Sequence, residues 1–418
     1  MQKDIINRMT MKKLFLISLL MLCTFAMQAQ EQVRVFKNGS STRFTTSELT
    51  FEKEGAALIV GDSVYAPLSI DSITVVHTVT ITYAGDTAFV NLGHAPHVTD
   101  TIRGAHVKIV STNIKNELEF VVQGQSTHGS LTYEGPLKCK FYLNGLNLKS
   151  DKGAAIDIQC GKRVDLILNE GTENVLVDAA GGEQKAALYC KGHLEVSGGG
   201  SLTVTGNTKH GIATKEYMEV KKSTGSITVK KAVADAMHIG QYFQMNGGEV
   251  TINGQQDGDG LQVEIITADN DTIPNPDKEN NGQVLIRGGL LTVTASEDCT
   301  KGIKSPGNMT VSGGTIRVTA SGDGSKGIAV SGNLVVNQDT GSTLIQVKAS
   351  GDTFEGDDDD DTYCIGIKIK GDFLVYAGTV QVSKNKSNFA YPIRIGKNSV
   401  YYKSDEAVVS GSISRTRN

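Results

Sequence analysis

The sequence predicts an all-β fold, a right-handed parallel β-helix with three short strands per coil. Three observations predict it. One motif occurs twice in register: GIKSPGNMTVSGGTIRVTASGDGSK occupies residues 302–326, and GIAVSGNLVVNQDTGSTLIQVKASG begins at residue 327. The offset of 25 residues places Ile303 on Ile328 and Met309 on Leu334, a period too short for a domain and suited to one turn of a solenoid. The same register continues through Leu194, Met218, Phe243, Val284, Met309, Leu334 and Phe373, in steps of 24, 25, 41, 25, 25 and 39 residues. The two long steps shorten to 28 and 26 residues, near the common period, when residues 270–282 and 352–364 are read as insertions. Finally, each period carries three alternating segments, as in 302–304, 309–311 and 316–318.

Strands this short bury a face only when stacked, coil upon coil at about 4.8 Å, into long parallel sheets. Each inward aliphatic residue then contributes roughly 1.5–3 kcal/mol of burial, largely offset by the entropy of ordering its coil, so many coils are required. Parallel crossovers are right-handed in nearly all cases, which sets the expected sense. A propeller is the rival all-β architecture, but its blades need about 40–50 residues.

From the start of the chain, residues 1–29 read as a secretory signal peptide: Lys12 and Lys13 precede the apolar run 14–25, and Ala29 offers a small residue for cleavage. Met11 is an alternative start, and Cys23 lies in a poor context for lipidation behind Met21 and Leu22. The apolar run is too short to span a bilayer, and the expected location is secreted, periplasmic or on the outer cell surface, without a transmembrane segment. Residues 1–29 carry a net charge of +3, so the formal charge of −4 becomes −7 after processing, which argues against a nucleic-acid partner. Five cysteines remain, Cys139, Cys160, Cys190, Cys299 and Cys364, with no metal-type spacing and room for one or two disulfides.

Residues 30–76 form a small β segment with a turn signal at Lys37, Asn38 and Gly39. Residues 77–150 read as an N-terminal cap with the first, irregular coils, 151–405 as the β-helix, and 406–418 as a C-terminal tail. A monomer is expected.

The N-terminal segment, with Phe36-Lys37-Asn38-Gly39 and Asp71-Ser72-Ile73-Thr74, resembles a short segment of secreted Bacteroidetes proteins. From Val79 onward the chain resembles the secreted bacterial family of carbohydrate-binding domain proteins, β-helices akin in fold to pectate lyases. The resemblance rests on Leu143-Asn144-Gly145-Leu146-Asn147-Leu148, Lys152-Gly153-Ala154-Ala155-Ile156, Leu168-Asn169-Glu170-Gly171-Thr172-Glu173-Asn174, Gly206-Asn207-Thr208-Lys209-His210 and Tyr242-Phe243-Gln244-Met245-Asn246-Gly247-Gly248. It implies binding of a plant-type polysaccharide, with calcium held by aspartates between coils. The family often opens a coil with Asp-Gly-Ile, whereas this chain has His210-Gly211-Ile212, Lys301-Gly302-Ile303 and Lys326-Gly327-Ile328.

Acids persist at Asp235, Asp257 and Asp259, with Glu264 close behind. Equivalent positions on successive coils lie one strand spacing apart, so Asp235 and Asp259 are placed to share a calcium ion, which takes six to eight oxygens. The alternative is an Asp that ties down a Gly-rich corner. Two acidic insertions, 257–279 and 352–361, read as solvated loops or weak calcium sites.

Trp is absent, so Tyr must supply any stacking plane for sugar. Tyr217 and Tyr242 lie 25 residues apart, each before an inward residue, and are expected to form an outward ladder. With Lys209, His210 and His238 they are the expected sugar contacts, and a ring pair that merely stiffens the sheet is the alternative. A lyase of this fold needs a basic side chain beside a calcium-bound uronate, for which Lys209 or Arg287 is available. A hydrolase needs clustered carboxylates, for which Asp235, Asp257 and Asp259 suffice in number. The regular coils favour non-catalytic binding of a plant cell-wall or pectin-like glycan; a structural or adhesive surface role and a lyase or hydrolase are the alternatives.

Overall fold

A computed structural model describes residues 32–416 apart from 39, 46–48, 52–56, 61–62, 67–68, 269–271, 340, 356–362 and 385–390. The expected signal segment, Gly39 of the first turn signal, and Asp269, Asp271 and Asp357 to Asp361 of the acidic insertions lie outside the described residues. The described residues contain no α-helix, and none of their elements is a helix long and apolar enough to cross a membrane.

The chain divides into two compact units. The smaller comprises residues 1–80 and 91–95. In it Gln32–Lys37 pairs antiparallel with both Ser40–Thr45 and Ser72–Ala84, and Leu58–Val60 pairs antiparallel with Leu49–Phe51 and Ser63–Tyr65. Val35, Leu58 and Val60 form its core, against which Phe44, Tyr65 and Ile70 pack.

The larger unit, residues 81–90 and 96–418, is built of three parallel ladders visited in turn. The repeating order is visible in Lys301–Ser305, Met309–Val311 and Gly314–Ala320, which pair in parallel with Lys326–Val330, Leu334–Val336 and Thr343–Ala349 one coil later. We call the ladder of Met309–Val311 the first, that of Gly314–Ala320 the second and that of Lys301–Ser305 the third. Strands Ala105–Ser111, Gly129–Glu134 and Ile156–Gln159 already pair in parallel, so regular coils begin well before residue 151. At the other end Ala407–Ser410 and Ile413–Arg415 extend the second and third ladders, so the segment expected to be a tail is the last coil.

The inward file of the first ladder contains all seven residues that defined the period. Leu194, Met218, Phe243, Val284, Met309, Leu334 and Phe373 succeed one another in register, each fully buried. In the third ladder Ile212, Met237, Leu261, Ile303, Ile328, Ile367 and Ile393 do the same. The five expected cysteines are free thiols, four of them buried, and no disulfide joins them.

The glycine of each Gly-Ile pair has a packing reason. A Cβ on Gly327 would lie 2.5 Å from Val347 Cγ1 and 2.6 Å from the Gly366 carbonyl, and Gly302 and Gly366 are equally closed in. Gly327→Ala is therefore expected to cost about 1–3 kcal/mol as overpacking, read as a lower denaturation midpoint, whereas Gly341→Ala, next to open space, tests only its positive φ of 66°.

Corners are tied by side-chain oxygens that accept the backbone N–H of the following coil. Asn308 Oδ1 accepts from Asn333 N, Asn333 Oδ1 from Asp372 N, and Asp372 Oδ1 from Val400 N, at 2.8–2.9 Å. Asp298 and Asp323 do the same for Asp323 N and Asp352 N at 2.7 Å. Backbone donors that leave a ladder at a corner are thereby satisfied.

Candidate functional site

The outward file of the third ladder runs Ala213, His238, Gln262, Lys304, Ala329, Lys368, Arg394 and Ser414. Lys301 and Lys326 pair in register at the start of their strands, and Lys370 follows Ile369. Together Lys301, Lys304, Lys326, Lys368 and Lys370 line a hollow of about 230 Å³ floored by Ala329 and Val330. Period-2 alternation turns Lys304, Lys368 and Lys370 outward, because Ile303, Ile367 and Ile369 occupy the inward positions beside them, whereas Lys301 and Lys326 open their strands and Lys326 is buried.

The electrostatics are one-sided at the Lys368 end. Among the described residues no carboxylate pairs with Lys368 or Lys370. Burial and the neighbouring Lys368 charge push Lys326 down to about 8 from its ordinary 10.5, and burial, Lys370 and Arg394 lower Lys368. Arg394 lies over the Tyr391 and Tyr363 rings, 5.1 and 5.6 Å from their centroids. A chain of net negative charge thus concentrates five cations on three adjacent coils.

At the other end of the hollow lies an acidic cleft of about 540 Å³ lined by Asp235, Asp257, Asp259, Glu297 and Asp298, with Lys301 and Lys304 at its edge. Asp235 and Asp259 do sit on successive coils, as their spacing predicts. Their oxygens are occupied by protein donors, however. Asp235 Oδ1 accepts the Asp259 N–H at 2.7 Å, and its Oδ2 lies 2.7 Å from His238 Nδ1. Asp259 Oδ1 accepts the Lys301 N–H at 2.9 Å, while Lys301 Nζ and Lys304 Nζ approach its carboxylate at 3.5 and 3.3 Å. Two buried carboxylates faced by ammonium and imidazole groups do not make the oxygen cage that calcium takes. Asp257 is exposed on the cleft wall, and Glu264 is exposed beside His238.

The expected sugar contacts separate into two groups. His210 and His238 stack, ring centroids 4.4 Å apart, and His210 Nδ1 lies 3.5 Å from Asp235 Oδ2. Burial and the His238 charge push His210 down to about 4, so it is neutral. Against the burial that lowers it, hydrogen bonds to Asp235 and Glu264 raise His238 to about 9. Lys209 is exposed at the same corner.

Tyr217 and Tyr242 lie beyond the other end of these strands. They form the expected ladder, stacked at 4.7 Å with planes 15° apart. It is not an open platform. Tyr242 is only 6% exposed, and the Tyr217 hydroxyl donates to Glu195 Oε1 at 2.8 Å. The insertion that follows Glu264 reaches this corner, where Lys278 Nζ pairs with Glu216 at 3.0 Å and Gln241 donates to the Glu279 carbonyl. Burial first, then the charges of Glu279, Glu219 and Glu195, push Tyr242 up to about 12. The pair is thus a half-buried Tyr217 beside a buried Tyr242, with Glu195, Glu219 and Glu279 around it.

A further hollow of about 430 Å³ lies on the second ladder, lined by Arg317, Gln346, Gln381 and their neighbours. Its amides bond one another down the file, Gln346 to Gln381 at 2.9 Å.

The lysine row was missed in the sequence because residues 352–364 interrupt the period, hiding that Lys368 falls two coils from Lys304. The absence of Asp from the Lys-Gly-Ile openings was its only signal.

The chain is similar to several known proteins. A carbohydrate-binding domain-containing protein of Acetivibrio thermocellus is 33% identical over 96 residues, 21% of this chain; the chain matches a third of that relative's length. The organism lends no support to the Bacteroidetes character expected from the N-terminal segment. A solved polysaccharide lyase-like protein from C. thermocellum, a gadolinium derivative, aligns at 22% identity over 64% of this chain and 99% of that one, with a TM-score of 0.49. Residues 104–388, well over half of the chain and nearly all of the coils, match the family described as carbohydrate-binding domain-containing protein, and the chain belongs to that family.

Proposed function

We propose that the protein binds an anionic polysaccharide of the pectin type along the outward face of the third ladder, without turning it over. The observation that carries this reading is the outward pair Lys368 and Lys370, which crowd one another and the buried Lys326 on an otherwise acidic chain. Cations held together at a cost in mutual repulsion are relieved by a polyanion that spans them. The coil that presents them is read as right-handed, the sense parallel crossovers adopt in nearly all cases, and the protein as secreted or surface-exposed.

Calcium enters this reading as a bridging ion at the exposed wall of the cleft, Asp257, Glu297 and the second oxygen of Asp298, because both inner carboxylates already hold protein donors. Catalysis is not part of it. Lys326, the cation closest to neutrality, is 7% exposed and donates to the Gly324 carbonyl, which keeps it from a substrate proton.

The test is retention on polygalacturonate against cellulose, with and without salt and chelator, while absorbance of unsaturated uronate products is followed. Retention on the anionic polymer alone, falling steeply as salt screens the row, is expected. Equal retention on both polymers would sink the anionic reading, chelator-insensitive retention the bridging ion, and an unsaturated product the non-catalytic one.

A further inference from the structure

We infer that His210, Asp235 and His238 form a binding site for a divalent transition metal of the zinc class, with one coordination position left open. One donor atom from each of His210, Asp235 and His238 lies within 4.8 Å of the other two. Asp235 Oδ2 is 2.7 Å from His238 Nδ1 and 3.5 Å from His210 Nδ1. Ligands about 2.0–2.2 Å from a tetrahedral ion stand roughly 3.3–3.6 Å apart, so the Asp235 to His210 distance already fits and the Asp235 to His238 contact must open by well under 1 Å.

The donor types select the metal. Two imidazoles and one carboxylate suit zinc, copper or nickel, whereas calcium and magnesium take oxygen. The ligands are held from three places on adjacent coils. His210 begins His210–Thr214, Asp235 sits on the corner with its other oxygen fixed by the Asp259 N–H, and His238 is the central residue of Met237–Ile239. His210 and Asp235 are buried, while the His238 side chain is 23% exposed and provides the way in. The Glu264 carboxylate, 3.4 Å from His238 Nε2, orients that ring from behind, as outer carboxylates do for metal-bound histidines. On binding, the proton that His238 Nδ1 shares with Asp235 is released to solvent, the proton that His210 Nδ1 directs at the Asp235 carbonyl, 3.3 Å away, moves to Nε2, and both Nδ1 lone pairs pass to the metal. Three protein ligands leave a fourth position for water or for an oxygen of a bound molecule.

The experiment uses the full chain without an affinity tag, stripped with chelator and then titrated with zinc and, separately, with cobalt. A single tightly held zinc per chain is expected, a raised melting temperature, and for cobalt the intense visible absorption of a four-coordinate ion. His238→Gln and Asp235→Asn should each bind at least about ten-fold more weakly. Wild type that keeps no metal after desalting, or cobalt with only the faint spectrum of a six-coordinate ion, overturns the inference whether or not the variants fold. Variants that melt as wild type does without metal yet bind as tightly also overturn it.

Discussion

Lys368→Glu with Lys370→Glu is expected to reduce retention on polygalacturonate by at least about 30-fold at low salt. Each exposed charge contact is worth about 1 kcal/mol near water, and losing two corresponds to that factor before the added repulsion of the new carboxylates. The same change should leave the melting temperature unchanged or raise it, because it removes cations that lie against Arg394 and Lys326. Gln346→Ala, in the hollow of the second ladder, serves as the control that keeps binding. The pH dependence carries an opposite pair of signs. Lys326 loses its proton near 8 when folded but near 10.5 when unfolded, so between these values the unfolded chain binds more protons, and this group's contribution to stability rises with pH. Retention of the anionic polymer falls over the first part of that window as the charge is lost. A double variant that binds as wild type does would place the glycan elsewhere on the molecule.

Phe243→Ala is expected to cost about 3–5 kcal/mol, the largest effect of a single truncation in the coils. The ring is fully buried between Met218 and Val284 in the inward file, and neighbours pinned by backbone ladders above and below cannot collapse into the space it leaves. Phe243→Leu keeps most of the volume and should cost less than about 1.5 kcal/mol. Denaturant midpoints for the two variants check the order. Below its melting temperature the alanine variant should still bind polymer, since the first ladder lies away from the lysine row. Equal midpoints for wild type and alanine would mean that the inward file does not sustain the coils.

What was legible in the sequence is what depends on period. Met309, Leu334 and Phe373 were separable from their neighbours because inward positions must be apolar in every coil, so a fixed offset exposes them. Outward residues obey no such demand. His238, Gln262, Lys304 and Lys368 share a file, yet nothing in their types says so, and an insertion shifts the count between the last two. The acids show a different limit. The spacing of Asp235 and Asp259 does bring them to adjacent coils, but whether an aspartate meets an ion or an amide depends on what the next coil presents. Here it presents the Asp259 N–H and then Lys301 and Lys304. The tyrosine pair stacks as its spacing requires, and its burial follows from a loop some 40 residues further along that reaches back over the corner.

Because Lys304, Ala329, Lys368 and Arg394 sit on consecutive coils, their separation is set by backbone hydrogen bonding and not by their own side chains. The row is therefore a ruler with divisions of about 4.8 Å, and with Ala329 as a blank mark, Lys304 and Lys368 stand roughly 10 Å apart. A polymer whose carboxylates recur at that pitch meets every mark, while one with another repeat falls out of step after a few sugars. Length is adjustable in the same currency. A duplicated 25-residue cassette such as 302–326 adds one division, with its own Lys304, and leaves the graduation unchanged.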